Sequence, residues 1–111
     1  MVNVINFNNV TKRYLTVTFA DANNTVITVC TPTKALFQEL VELAKNISSN
    51  TETNLDAIDD LYIVCAKIMS RNKEGVEITK DSLEENMDFE DIITFFKAYM
   101  TFVKEISKLK N

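Results

Sequence analysis

The chain has 111 residues, 46% hydrophobic and 25% charged, which suits one domain with a single core and argues against a disordered chain. Its net charge is −4 and its basic residues are scattered, so it lacks the electrostatic footprint of a nucleic-acid binder. With no histidine, one glycine and two cysteines, it also lacks the materials for a Ser-His or Cys-His nucleophile, a glycine-rich phosphate loop or a zinc cluster.

The first third of the chain alternates with period two. Val2 and Val4 open a short candidate strand. Leu15, Val17 and Phe19 then point one way while Tyr14, Thr16 and Thr18 point the other. Val26, Thr28 and Cys30 alternate in the same manner with Ile27, Val29 and Thr31. This is the signature of half-buried strands. Between the last two runs lies Ala20-Asp21-Ala22-Asn23-Asn24, whose Asp and Asn tolerate left-handed backbone, so a hairpin with a five-residue loop is expected.

Pro32 ends the strand region and opens a helix, with Thr31 as the expected cap. Leu36, Leu40, Leu43, Ala44 and Ile47 follow at helical spacing. The polar stretch from Asn46 to Asn54 reads as a loop. Thr53, with Asp56 three residues on, starts a second helix along Leu55, Ile58, Leu61, Tyr62, Cys65, Ile68 and Met69. Gly75 marks a turn, Val76 to Ile78 an extended piece, and Asp81 to Asn86 a helical turn. Asp88 is a strong N-cap for the last helix. Glu90 and Asp91 suit its positive end, and Met87 is placed to staple onto Ile92. This helix is expected to run to about Lys108.

The predicted fold is therefore α+β. An N-terminal antiparallel β-hairpin or meander of two to three strands (1–31) precedes a helical part with three main α-helices (32–111), all in a single domain. Met1 to Asn9 has no basic region or long apolar run, and no stretch nears the ~20 apolar residues that span a bilayer. A cytoplasmic place is expected, with no membrane and no nucleic acid among the partners. Cys30 and Cys65 each sit in an apolar-patterned segment and read as small buried thiols.

Carboxylates are the remaining chemistry. Glu52, Asp56, Asp59 and Asp60 could share a helix face, but an acidic first turn stabilised by the helix dipole explains them without a metal. Asp21 to Thr25 starts like a calcium loop, then has Val26 where that loop needs glycine and Pro32 where it needs the closing glutamate. Glu84 and Glu85 near Asp88 and Glu90 read as a charged surface. No catalytic residue, metal site or cofactor is expected, and the chain reads as a non-enzyme.

The last helix is the feature that asks for an explanation. Ile92, Phe96, Tyr99, Val103 and Ile106 form one apolar stripe. Phe95, Phe102 and Leu109 form a second at seven-residue spacing. A surface helix usually carries one stripe about 100° wide, and a helix apolar most of the way round is buried. Two readings stay open. The helix is central to the core, or its second face docks a partner or another copy. On the docking reading the candidate protein-interaction residues are Phe89, Phe95, Phe96, Tyr99, Met100, Phe102, Val103 and Leu109, since aromatic residues and Met are enriched at interfaces.

The Thr-rich hairpin Tyr14 to Thr31 leads directly into Thr-Pro-Thr-Lys at Thr31 to Lys34. The segment Leu61 to Thr79 reads LYIVCAKIMSRNKEGVEIT, and Met87 to Ile106 reads MDFEDIITFFKAYMTFVKEI. In this order of elements the chain resembles the small tail assembly chaperones of long-tailed phages and prophages of Gram-positive bacteria. The resemblance implies a non-enzymatic chaperone that binds and solubilises the tape measure protein, engages tail tube subunits and self-associates in the bacterial host cytoplasm. It carries over no site residue. The competing expectation is a small phage-encoded adaptor, a head–tail structural subunit or a regulatory protein-binding domain.

Overall fold

The computed structural model describes residues 12–19, 23–49 and 55–108. They form a two-stranded antiparallel sheet and four helices: β1 (Leu15–Thr18), β2 (Val26–Val29), α1 (Lys34–Ser49), α2 (Leu55–Ser70), α3 (Lys80–Asn86) and α4 (Phe89–Lys108). The fold is the expected α+β hairpin followed by three main helices. The anticipated turn at Asp81 to Asn86 is the short α3. The candidate strand at Val2 and Val4, and the cap at Thr53, lie outside the described residues.

The hairpin register pairs Leu15 with Val29 and Val17 with Ile27, so the apolar side chains of both strands share the inner face. Ile27 and Val29 are fully buried there, while Thr16 and Thr18 face out. The Phe19 amide donates to the Thr25 carbonyl at 2.8 Å and extends the ladder to the loop. Asn24 carries the loop's positive φ of 49°, the left-handed geometry that Asn accepts more readily than most residues.

The start of α1 differs from expectation. Its cap is Thr33, whose hydroxyl accepts from the Leu36 amide at 3.2 Å. Thr31 does not cap it, because the Thr31 carbonyl is held by the Arg71 guanidinium through Nε at 3.1 Å and Nη2 at 2.9 Å. The chain is thus anchored in extended form through Pro32 before it coils. α1 also continues through Ser49, past the expected loop boundary at Asn46. Once Leu36, Leu40 and Leu43 are packed, each added residue brings one hydrogen bond at little cost, and polar composition does not stop it.

α2 lies between its neighbours. It packs on α1, α3, α4 and β2, and buries Leu61, Tyr62, Val64, Cys65, Ala66, Ile68 and Met69. α4 begins where the sequence places it: the Asp88 carboxylate accepts from the Asp91 amide at 2.8 Å. Met87, the C-cap of α3, packs half-buried against the cluster that holds Ile92.

The segment after α2 is tied to the hairpin before it reaches the expected turn at Gly75. Val29 bridges antiparallel to Asn72. The Cys30 amide donates to the Arg71 carbonyl at 2.7 Å, and the Lys73 amide donates to the Thr28 carbonyl at 3.0 Å. This strap covers the edge of β2 that faces away from β1. Glu74 completes it: its carboxylate accepts from the Thr28 amide at 2.7 Å and from the Thr28 hydroxyl at 2.8 Å. The chain then turns at Gly75 (φ 72°), where Asn72 holds the turn by accepting from the Val76 amide and donating to the Met69 and Val76 carbonyls. Val76 to Ile78 forms no strand. The Ser70 hydroxyl instead clasps Ile78 through both its amide and its carbonyl.

Two buried tyrosines tie the layers together. Tyr99 of α4 is fully buried and donates to the Cys30 carbonyl at 2.9 Å, joining α4 to the end of the hairpin. Tyr62 of α2 donates to the Met87 carbonyl at 2.9 Å. Burial raises the pKa of both phenols, and for Tyr62 the nearby Asp88, Glu84 and Asp91 raise it further. Both therefore remain protonated donors across the ordinary pH range.

Two outcomes follow from these ties. Replacing Tyr99→Phe keeps the packing but removes the donor to Cys30, and should cost about 1–2 kcal/mol in urea denaturation. An unchanged midpoint would show that the tie does not contribute. The hydrogen bonds from Thr28 hold the Glu74 carboxyl below its ordinary value of 4.5. Its contribution is therefore present above pH 4.5 and disappears as the pH falls through the lower folded value. Wild type should exceed Glu74→Gln in stability at neutral pH, with the gap closing in acid. A gap that is independent of pH would contradict the ionised form of this contact.

Candidate interaction surfaces

The over-wide apolar face of α4 is largely consumed inside the domain. Phe95 is 5% exposed, Phe96 8% and Tyr99 fully buried, so these three side chains are not left open. Phe95 stacks on Tyr99 with ring centroids 5.9 Å apart, and Tyr99 meets Phe102 at 5.8 Å. Met100, Phe102 and Val103 are half-buried against the core. Phe89, at the helix start, is 44% exposed. Leu109 lies outside the described residues. The physical reason is position: α4 packs on α2, and its Ile92, Phe95, Phe96 and Tyr99 share one buried cluster with Ile27 and Val29 of the hairpin and with the inner face of α2.

Two grooves remain on the surface. The first runs between α1 and α2 and measures about 480 Å³. Ala35, Leu43, Ile63 and Val64 give it an apolar floor, and Glu39, Glu42 and Asp60 give it an acidic rim. Lys67 crosses it, paired with Glu39 at 3.0 Å. Ile63 is 37% exposed here, as is Phe37 elsewhere on α1. Sequence reasoning missed this groove. Ile63 stands outside the buried stripe of α2, and that departure from the pattern was the available signal.

The second groove, about 290 Å³, runs along β1 from Leu15 to Thr18 and is walled by Met87, Asp91, Thr94, Phe95 and Ala98. Asp91, Thr94, Phe95 and Ala98 follow helical spacing on one face of α4, and Met87 stands just before its start. Of the candidate interaction residues, Phe95 borders this groove.

The described members of the acidic groups have separate surroundings. Asp59 pairs with Lys80 at 3.7 Å, Asp60 lines the first groove, and the side chains of Glu52 and Asp56 lie outside the described residues. Among the described residues no group of three His, Cys, Asp or Glu could hold a metal ion, and apart from Tyr62, Tyr99 and Cys65 no polar or charged side chain is buried. No helix there is long and apolar enough to cross a membrane. Both cysteines are free. Cys30 is half-buried, and burial pushes the Cys65 thiol up to about 12.

No family model, curated protein or solved structure matches the chain.

Because the thiolate is the reactive form, Cys65 should resist alkylation in the native protein and become labelled only when urea unfolds it. Labelling of Cys65 in the native protein as fast as in urea, followed by mass spectrometry, would contradict its place in the core.

Proposed function

We propose that this chain is a non-enzymatic protein-binding module, and specifically a tail assembly chaperone that keeps a phage tape measure protein soluble. The observation that carries the reading is the groove between α1 and α2. A trough between two helices, with an apolar floor and a charged rim, suits the apolar face of an amphipathic helix. Tape measure proteins are long, and their helical apolar stretches are the surfaces that such a chaperone would cover. The acidic rim of Glu39, Glu42 and Asp60 would select stretches flanked by lysine or arginine.

Two further features support a binding role over catalysis. Acid–base work by a carboxylate pair needs an apolar pocket that separates the two pKa values, and the described carboxylates lie at the surface. The exposed Ile63 and Phe37 offer apolar anchors on rigid helices, the usual basis of a binding surface. The resemblance in the order of elements supplies the phage context.

The test is to sequence the reading frames that flank the gene, where the absence of a long helical product would overturn the chaperone reading, and to co-express the chain with that product. The wild-type chain should bring that product into the soluble fraction. Ile63→Asp should lose this effect while its circular dichroism spectrum and cooperative urea unfolding are kept, since Ile63 is 37% exposed and outside the buried core. A neighbour that is equally insoluble with and without the wild-type chain would overturn the chaperone reading. Full activity of Ile63→Asp would overturn the assignment of the groove.

A further inference from the structure

We infer that the open edge of β1 docks a second copy of this chain, strand against strand, about a two-fold axis through Val17. The inference does not rest on the chaperone reading, and its test involves no other protein.

The hairpin has two edges, and they are treated differently. The Phe19 amide bonds to Thr25, and the register then sets Leu15, Val17 and Phe19 bonding to β2. Thr16 and Thr18 consequently aim their amides and carbonyls away from it. The equivalent outward groups of Thr28 on β2 are both taken, the amide by Glu74 and the carbonyl by Lys73. Among the described residues nothing bonds the outward groups of Thr16 and Thr18. β1 also carries none of the usual edge protection: Leu15–Thr18 contains no proline, no charge and no bulge.

The edge is self-complementary. In an antiparallel pairing of two such edges, outward residues meet outward residues. The register that centres on Val17 sets Thr16 against Thr18 of the second copy, and Leu15 against its Phe19. Thr–Thr and aliphatic–aromatic partners are among the favourable cross-strand pairs. The groove below the edge, walled by Thr94, Phe95 and Ala98, leaves room for the second copy's Leu15 and Val17 beside α4.

Charge selects a second copy over other extended segments. Tyr99 reaches Cys30, next to the Leu15–Val29 pair, so the later turns of α4 lie at the Leu15 end of β1. Met87 and Asp91, on the same groove wall, therefore lie toward Thr18. In the two-fold arrangement the exposed Lys12 and Arg13 of one copy run past Phe19 of the other. They arrive at the start of α4, where Asp88, Glu90 and Asp91 are exposed. The arrangement places these opposite charges together twice, once on each side of the axis.

The test is light scattering and analytical ultracentrifugation of the full chain over a dilution series. The expected result is a dimer that dissociates to monomer on dilution. Thr16→Pro removes an outward amide while leaving the bonds to β2, and should be monomeric throughout with an unchanged circular dichroism spectrum. Arg13→Glu and Asp91→Lys should each weaken the dimer by about tenfold or more. Mixed together they should form a heterodimer near wild-type strength, because both contacts then join opposite charges. Misfolding could not produce that rescue. A wild type that stays monomeric would overturn the inference, whether the edge is taken by residues 1–11 or by a foreign segment. So would a dimer indifferent to Thr16→Pro, or mixed variants that fail to associate.

Discussion

Strands of four residues, paired only with each other, do not hold together in water. The hairpin persists here because β2 is bonded along both edges, to β1 on one side and to the strap Arg71–Glu74 on the other. The strap is the direct continuation of α2, so the same few residues that end the helix also fix the sheet to it. Arg71 then reaches the Thr31 carbonyl and sets where the chain leaves β2 for α1. Hairpin, α1 and α2 are thus positioned from one short segment.

That arrangement explains the composition of α4. With the hairpin fixed, Ile27 and Val29 present one apolar surface, while Leu61, Cys65 and Ile68 of α2 belong to the same cluster. A helix lodged among these elements meets apolar neighbours on more than one side, and needs aromatic residues on both predicted stripes. Tyr99 shows the constraint in one residue: its ring contacts Phe95 and Phe102, and its hydroxyl satisfies Cys30. The apolar width of α4 thus goes in part into the shared core, where Ile92, Phe95, Phe96 and Tyr99 are buried. Among the described residues, grooves stay open between α1 and α2 and along β1.

Much of this was legible in the sequence. The alternation at Leu15 to Phe19 and Ile27 to Val29, the helical stripes, the Asp88 cap and the turn at Gly75 are local patterns, and the structure contains each of them. The strap was not legible. Thr28 and Glu74 are 46 residues apart, and nothing near either one announces the other. Without the strap, Thr31 looks like a free cap, when in fact its carbonyl is occupied. The end of α1 was misjudged for a different reason: polar composition resembles a loop, but a packed helix extends through it. The choice between a core and a docking role for α4 depended on how many elements surround it, which periodicity does not report. The groove residue Ile63 was visible only as an apolar residue out of phase.

The central claim is that the strap on β2 holds the fold together, and native-state hydrogen exchange tests it most directly. The decisive amides are Thr28, Cys30 and Lys73, read in dilute protein against amides in the middle of α2. If the account is right, these three exchange only through global unfolding, with the same opening free energy as the α2 core. If they exchange by local opening while α2 stays protected, the strap is a surface decoration and the hairpin is held by something else.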